Sequence, residues 1–137
     1  MGSLFAQMDI KISFAKMIFK ASDHNFQSAS FKNHCVDKSP TLLIAKSDKG
    51  FIFGGYTPCR WLKTKEQEFV SDPESKSFLF SLSKKTVFPI KPNQKNYAIS
   101  AYGGWGPIFG SPYGPDLSIA DKCHINEHSC SSLGTHY

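Results

Sequence analysis

The stretch from residue 50 to residue 61, "GFIFGGYTPCRW", places two adjacent glycines inside an apolar run that otherwise has the composition of a β-strand. A glycine pair can cradle a phosphate, open a β-bulge or let another backbone come close. A dinucleotide fingerprint needs G-x-G-x-x-G leading into a helix, and a Walker loop needs G-K-[ST]. Gly54-Gly55 is followed by Tyr, Thr and Pro58, which fits neither pattern. The pair therefore favours a bulge or a close crossing of two sheets, with Tyr56 and Trp61 covering the gap.

A second glycine-rich stretch, "GGWGPIFGSPYGP", spans residues 103–115. It holds no lysine, and its prolines at 107, 112 and 115 would break any helix that could offer backbone amides to a phosphate. We therefore expect no nucleotide site here and no cofactor anywhere in the chain.

The composition indicates a β-rich domain. The chain has 137 residues with 12 Phe, 5 Tyr and 2 Trp, and aromatic residues favour strands and large buried contacts. Its length suits one domain that buries roughly two-thirds of its unfolded surface. No window approaches the ~18–20 apolar residues of a membrane span, and the N-terminus lacks signal-peptide order. We expect an intracellular, cytoplasmic protein whose four cysteines are thiols.

The net charge of +5 comes mainly from lysines spread along the chain, and Arg60 is the one arginine. Nucleic-acid readers favour clustered charge and the fork of the arginine side chain. We therefore interpret the lysines as a solvated surface and expect no nucleic-acid partner.

Local patterns predict short strands around one helix. The apolar spacing predicts a helix from Ser28 to Cys35, and a turn at Ser47–Gly50 predicts a hairpin over residues 41–56. The polar stretch 62–76 is interpreted as an exposed loop whose acidic residues, Glu66 to Glu68, Asp72 and Glu74, serve solubility. Further strands are predicted at Met17–Phe19, Ser77–Ser83, Val87–Phe88, Tyr97–Tyr102 and Asp116–Ala120.

An ordered set of motifs across residues 17–137 makes the chain resemble the TLDc domain, a module shared by oxidation-resistance proteins and related intracellular proteins. The matches include the turn at Ser22-Asp23, the segment "FGGY" at 53–56, "FLFSL" at 78–82 and "GPIFG" at 106–110. The family-motif positions are Ser22, Asp23, Phe53, Gly54, Gly55, Tyr56, Trp61, Phe78, Phe80, Gly106, Phe109, Gly110 and Asp116.

The resemblance implies an α+β, mainly β fold: a two-sheet antiparallel β-sandwich flanked by short helices. The TLDc domain is expected over residues 16–137, with residues 1–15 as an N-terminal extension or cloning-derived sequence. The family's N-terminal helix is not apparent in residues 1–16, and the family's final strand is expected to be missing after Tyr137. His24-Asn25 replaces a family glycine, which Asn tolerates if a positive φ is required there.

The resemblance also implies a function. TLDc proteins are associated with protection against oxidative stress, and several bind the vacuolar proton-pumping ATPase and regulate its assembly. We therefore expect a non-catalytic protein-interaction module with no catalytic residues. The candidate partner contacts, chosen from predicted turns, are Asp23, His24, Arg60, Trp61 and Asp116. A place in the core is an equal alternative for Trp61, and for Asp116 we prefer a structural role such as capping a turn.

Cysteines and histidines supply the alternatives. The stretch "CHINEHSC" gathers Cys123, His124, His128 and Cys130, which suits zinc by ligand type but not by the usual spacing, so we prefer an ordinary surface loop. The alternative function is a thiol-dependent antioxidant or redox activity through the surface cysteines, here Cys59, Cys123 or Cys130. It requires a lowered thiol pKa, which Arg60 could provide for Cys59. Cys35 is expected in the core.

Overall fold

Eight strands appear in the computed structural model, which describes residues 2–103, 105–111 and 114–137. Sheet A has the antiparallel order β1-β2-β4-β5, and sheet B has the antiparallel order β3-β6-β7-β8. The expected α+β, mainly β sandwich of two antiparallel sheets with short helices is confirmed. The strands are β1 (Thr41–Lys46), β2 (Ile52–Thr57), β3 (Glu68–Val70), β4 (Phe78–Ser81), β5 (Thr86–Pro89), β6 (Ile99–Tyr102), β7 (Trp105–Ser111) and β8 (Gly114–Ser118).

Two α-helices, α1 (Gly2–Ala6) and α2 (Ser28–Cys35), and 3₁₀ helices at Ala21–His24 and Pro92–Tyr97 flank the sheets. The predicted helix at Ser28–Cys35 is confirmed. Helix α2 packs against β7 and places Phe31 in the interior cluster between the sheets. None of the described helices has the length and apolar character needed to cross a bilayer.

Helix α1 was not predicted, although it covers the outer face of sheet A. Leu4 and Phe5 are buried there against Phe78 and Phe80, with the Phe5 ring centroid 5.1 Å from that of Phe80. Sheet A is therefore covered on both faces, by α1 on one side and by sheet B on the other.

The two glycines are required by different neighbours, because a strand directs successive side chains to opposite faces. A Cβ atom at Gly55 would lie 2.6 Å from Cζ of Phe109 on sheet B, so the ring occupies the space of a side chain. A Cβ atom at Gly54 would lie 1.8 Å from the carbonyl oxygen of Leu43 on β1, within the same sheet. The close-crossing interpretation is therefore confirmed for Gly55.

The two aromatic residues expected to cover this gap lie on different sides of sheet A. Trp61 is in the interior, where its ring makes an edge-to-face contact with Phe109 at 5.6 Å. Tyr56 stacks on Phe78 at 5.3 Å and belongs to the cluster beneath α1. The prediction is therefore wrong for Tyr56, because residue 56 follows Gly55 on the strand and faces the opposite way.

Two local predictions are wrong, and one strand was not predicted. Met17–Phe19 forms no strand: Ile18 and Phe19 pack on the interior cluster, but this segment pairs with no described strand through backbone hydrogen bonds. The stretch 62–76 contains β3, and its Asp72 is buried rather than solvent-facing. β7 was missed because glycine and proline usually interrupt strands. Gly104 and Pro112, part of the glycine-rich stretch, lie outside the described residues.

Local turn chemistry at residues 22–25 follows the expectation. Asn25 has a φ of 51°, the left-handed region that Asn tolerates better than most residues. The first turn of α2 is capped by a residue far along the chain: the Ser28 amide donates a hydrogen bond to Oδ1 of Asp121 at 2.7 Å.

We expect Gly55→Ala to lower the free energy of unfolding by about 1–3 kcal/mol, because its methyl group would overlap the Phe109 ring. Urea unfolding measures the change. Gly114→Ala is the control, since a Cβ there meets no described atom within 4 Å. The cost of Gly55→Ala should shrink in a Phe109→Leu background; an undiminished cost would contradict the steric explanation.

Candidate partner-binding surface

An open groove of about 220 Å³ lies on the outer face of sheet B. The strand register places Ile108 of β7 beside Ser118 of β8, while Phe109 faces the interior. Tyr102 and Trp105 pair where β6 turns into β7, and both are partly exposed, at 44% and 43%. The groove is lined by Tyr102, Trp105, Ile108, Pro115, Ser118, His128 and Cys130.

Backbone pairing holds one wall of the groove in place. The Cys130 amide donates to the Ser118 carbonyl oxygen at 3.0 Å, and the Ser118 amide donates back to that of Cys130 at 2.9 Å. The Ala120 amide donates to Oγ of Ser129 at 2.9 Å. The segment that carries His128 and Cys130 is therefore bound to the edge of β8.

The floor of the groove contains an unsatisfied polar group. Ser118 is 1% exposed, and its hydroxyl has no hydrogen-bond partner among the described residues. A buried hydroxyl without a partner costs roughly 1–3 kcal/mol. The groove thus offers apolar surface with two exposed aromatic side chains that each carry a polar group, a composition found in protein-binding sites.

The five predicted contact residues do not form one surface. Asp23 and Arg60 are exposed, and His24 is half-buried against Phe19 at 5.2 Å and His34 at 4.4 Å between ring centroids. No hydrogen bond, ion pair or ring contact among the described residues joins Asp23 to Arg60. These three positions remain predictions.

The prediction that Trp61 and Asp116 contact a partner is wrong, because both side chains are buried and a partner cannot reach them. Trp61 is a core residue whose indole N–H donates to Oγ1 of Thr41 at 2.8 Å. Its position just after β2 looked like a turn in the sequence, but its large ring fills the space between the sheets.

Asp116 is fully buried and organises the last residues of the chain. Its carboxylate accepts hydrogen bonds from the backbone amides of Thr135, His136 and Tyr137, at 3.1–3.3 Å. It also contacts Nδ1 of His136 at 2.7 Å, which forms an ion pair when the ring is protonated. The hydroxyl of Tyr137 donates to the Ala98 carbonyl at 2.6 Å and ties the segment to sheet B. Asp116 therefore has a structural role.

The candidate zinc ligands are not assembled. No three His, Cys, Asp or Glu side chains among the described residues are grouped to hold a metal ion. His124 instead stacks on Phe26 at 4.5 Å, while His128 and Cys130 line the groove.

Burial disfavours the reactive thiolate at three of the four cysteines. All four are free, and Cys35 and Cys59 are buried. Burial raises the pKa of Cys35 to about 11, and burial likewise raises the pKa values of Cys59 and Cys123. The alternative in which Arg60 lowers the pKa of Cys59 does not hold, because burial is the largest effect on that pKa and Asp72 raises it further; the preferred interpretation of Cys59 was an ordinary turn cysteine.

The groove residues were missed at the sequence level. Tyr102 immediately precedes the second glycine-rich stretch and Trp105 lies within it, and two aromatic side chains beside glycines were the available signal. The sequence could not indicate that the Ser118 hydroxyl is buried without a hydrogen-bond partner, because this depends on how separate chain segments pack around it.

We expect Asp116→Asn to lower the free energy of unfolding by about 2–4 kcal/mol, because an amide nitrogen would face hydrogen-bond donors. Urea unfolding gives the magnitude, and amide hydrogen exchange should show the loss of protection concentrated at residues 132–137. Asp23→Asn, at an exposed acidic position, is the control. Unchanged protection of that segment would contradict the structural role.

We expect Cys130, the exposed thiol, to react first with a thiol-specific disulfide reagent at pH 8. A pKa raised to about 11 leaves Cys35 with only about one thiolate in a thousand at that pH. Cys130→Ser should therefore remove the fast phase, and urea should expose all four thiols. A fast phase that survives in Cys130→Ser would contradict this assignment.

Comparison with known proteins agrees with this architecture. The family model described as "TLDc domain" matches residues 3–137 of the chain. Similar curated proteins are "MTOR-associated protein MEAK7" of Xenopus laevis, 38% identical over 68 residues, and of Danio rerio, 36% identical over 74 residues. These matches cover 50% and 54% of this chain but only 14% of each relative's length. Because the family match spans nearly the whole length, the chain belongs to the TLDc domain family.

Proposed function

We propose that this chain is a non-catalytic protein-interaction module that binds a partner protein through the groove on sheet B. The observation that carries the proposal is the pair of half-exposed aromatic side chains, Trp105 and Tyr102, at the groove on sheet B. Tryptophan and tyrosine dominate binding energy at protein interfaces, since one end is apolar and the other forms hydrogen bonds.

The partner we propose is the vacuolar proton-pumping ATPase, on the strength of the resemblance to TLDc proteins that regulate its assembly. Through that interaction the chain would contribute to oxidative-stress protection in the cytoplasm. The relatives' name, which describes MEAK7 as mTOR-associated, also supports a protein partner. The raised pKa values of Cys59 and Cys123 disfavour direct thiol chemistry at those two cysteines.

We expect Trp105→Ala to weaken binding to the purified vacuolar ATPase by about tenfold or more, as for other interface tryptophans. Biolayer interferometry with the immobilised chain measures the affinity. Phe51→Ala is the matched control, because Phe51 is equally exposed on the β1–β2 hairpin, away from the groove.

The two parts of the proposal are tested separately. Absence of binding by the unaltered chain would contradict the pump as partner. Equal affinity of Trp105→Ala and the unaltered chain would contradict the groove as the binding surface. Thermal unfolding of each variant verifies that the domain remains folded.

A further inference from the structure

The segment 11–17 is an exposed strap held at both ends. On its N-terminal side, Ile10 packs on the cluster beneath α1 and its amide donates to the Phe5 carbonyl oxygen at 3.3 Å. On its C-terminal side, Ile18 and Phe19 pack on the interior cluster. Every residue of the strap between these anchors is exposed, and the described structure gives it no hydrogen bonds. The strap therefore projects from the body of the domain at a defined place.

The strap carries large apolar side chains in water. Phe14 is 83% exposed, Met17 is 73% exposed and Ile12 is 43% exposed. Their transfer from water to an apolar environment is favourable, with about 1.5–3 kcal/mol as the usual range for a fully buried large side chain. Helix α1 and sheet A leave these side chains uncovered, so an apolar environment must come from outside the chain.

The charged residues of the strap are both cations, Lys11 and Lys16, and both are exposed. A third exposed lysine, Lys20, follows the anchor at Ile18 and Phe19, and the nearest acidic residues in the sequence are Asp9 and Asp23. Two cations and three apolar side chains thus share one short exposed segment. A surface that complements this segment has negative charges on the outside and an apolar layer just below them. An anionic lipid bilayer has this arrangement, with charged headgroups over acyl chains.

We propose that the strap binds anionic membrane surfaces, with Phe14 and Met17 entering the boundary between headgroups and acyl chains. Lys11, Lys16 and Lys20 then contact anionic headgroups. A fluid bilayer suits this segment better than a peptide does, because neither described groove includes residues 11–17 and a lipid surface deforms around projecting side chains. This membrane contact is separate from the groove and goes beyond protein binding.

The test is sedimentation with vesicles of phosphatidylcholine, with or without phosphatidylserine. We expect binding only to the anionic vesicles, with weakening as salt screens the lysines. Phe14→Ser should reduce the partition coefficient by about tenfold. Lys16→Gln should reduce it by about fivefold, the usual effect of one cation near an anionic surface.

Ile125→Ser is the matched control, since Ile125 is 71% exposed outside the strap and should not affect binding. The Phe14→Trp variant gives a direct readout: its added fluorescence should shift to the blue and be quenched by brominated lipid. Because the substituted side chains are exposed, the variants are expected to fold, which thermal unfolding verifies.

Several results would overturn the proposal. These are no binding to anionic vesicles, equal binding by Phe14→Ser, or an unquenched tryptophan at position 14. Capture of an acidic peptide by the strap, with vesicle binding unchanged in the variants, would assign it to a protein partner instead. None of these outcomes depends on the vacuolar ATPase, so failure here is distinguishable from failure of the proposed function.

Discussion

The contact between the Phe109 ring and the backbone of Gly55 is the constraint on which the arrangement of both sheets depends. The ring occupies the volume that a side chain on β2 would fill, and Trp61 and Tyr137 pack around it at 5.6 and 6.2 Å between ring centroids. Because Phe109 points into the core, its neighbours on β7 must point to the outer face of the sheet, since alternate residues of a strand face opposite sides. Ile108 is therefore directed toward the outer groove beside Ser118. The packing of the core thus decides what sheet B presents to a partner.

A second constraint is the buried carboxylate of Asp116. By accepting three backbone amides and contacting His136, it converts an irregular segment into part of the packed domain. That segment continues from the residues that form one wall of the groove, so a buried acid supports the binding surface without touching a partner. The family-motif position at Asp116 is explained by folding rather than by recognition.

The two proposed contact regions differ in chemistry. The groove on sheet B combines exposed aromatic rings with apolar surface, which suits a polypeptide. The strap at residues 11–17 combines apolar side chains with cations, which suits an anionic surface. A module that engages a protein assembly at a membrane would use both contacts at once, and two weak contacts in one chain reinforce each other.

Much of the framework was predictable from local pattern. The helix Ser28–Cys35 and the hairpin of β1 and β2 follow from apolar spacing and turn residues, and the glycine pair correctly indicated a close approach of layers. The strand β7 was not predictable in the same way. Its glycines and prolines suppress the local strand signal, whereas pairing with β6 and β8 on both sides stabilises it.

Composition predicted a β-rich domain, the family resemblance implied its two sheets, and the glycine pair indicated a close approach at 54 and 55 without identifying what approaches. Local pattern did not reveal that Asp72, Trp61 and Asp116 are buried while Phe14 and Trp105 are exposed. The physical reason is that burial depends on partners distant along the chain: Asp116 meets its amides about twenty residues later, and Gly55 meets Phe109 on the other sheet. No local pattern carries that information.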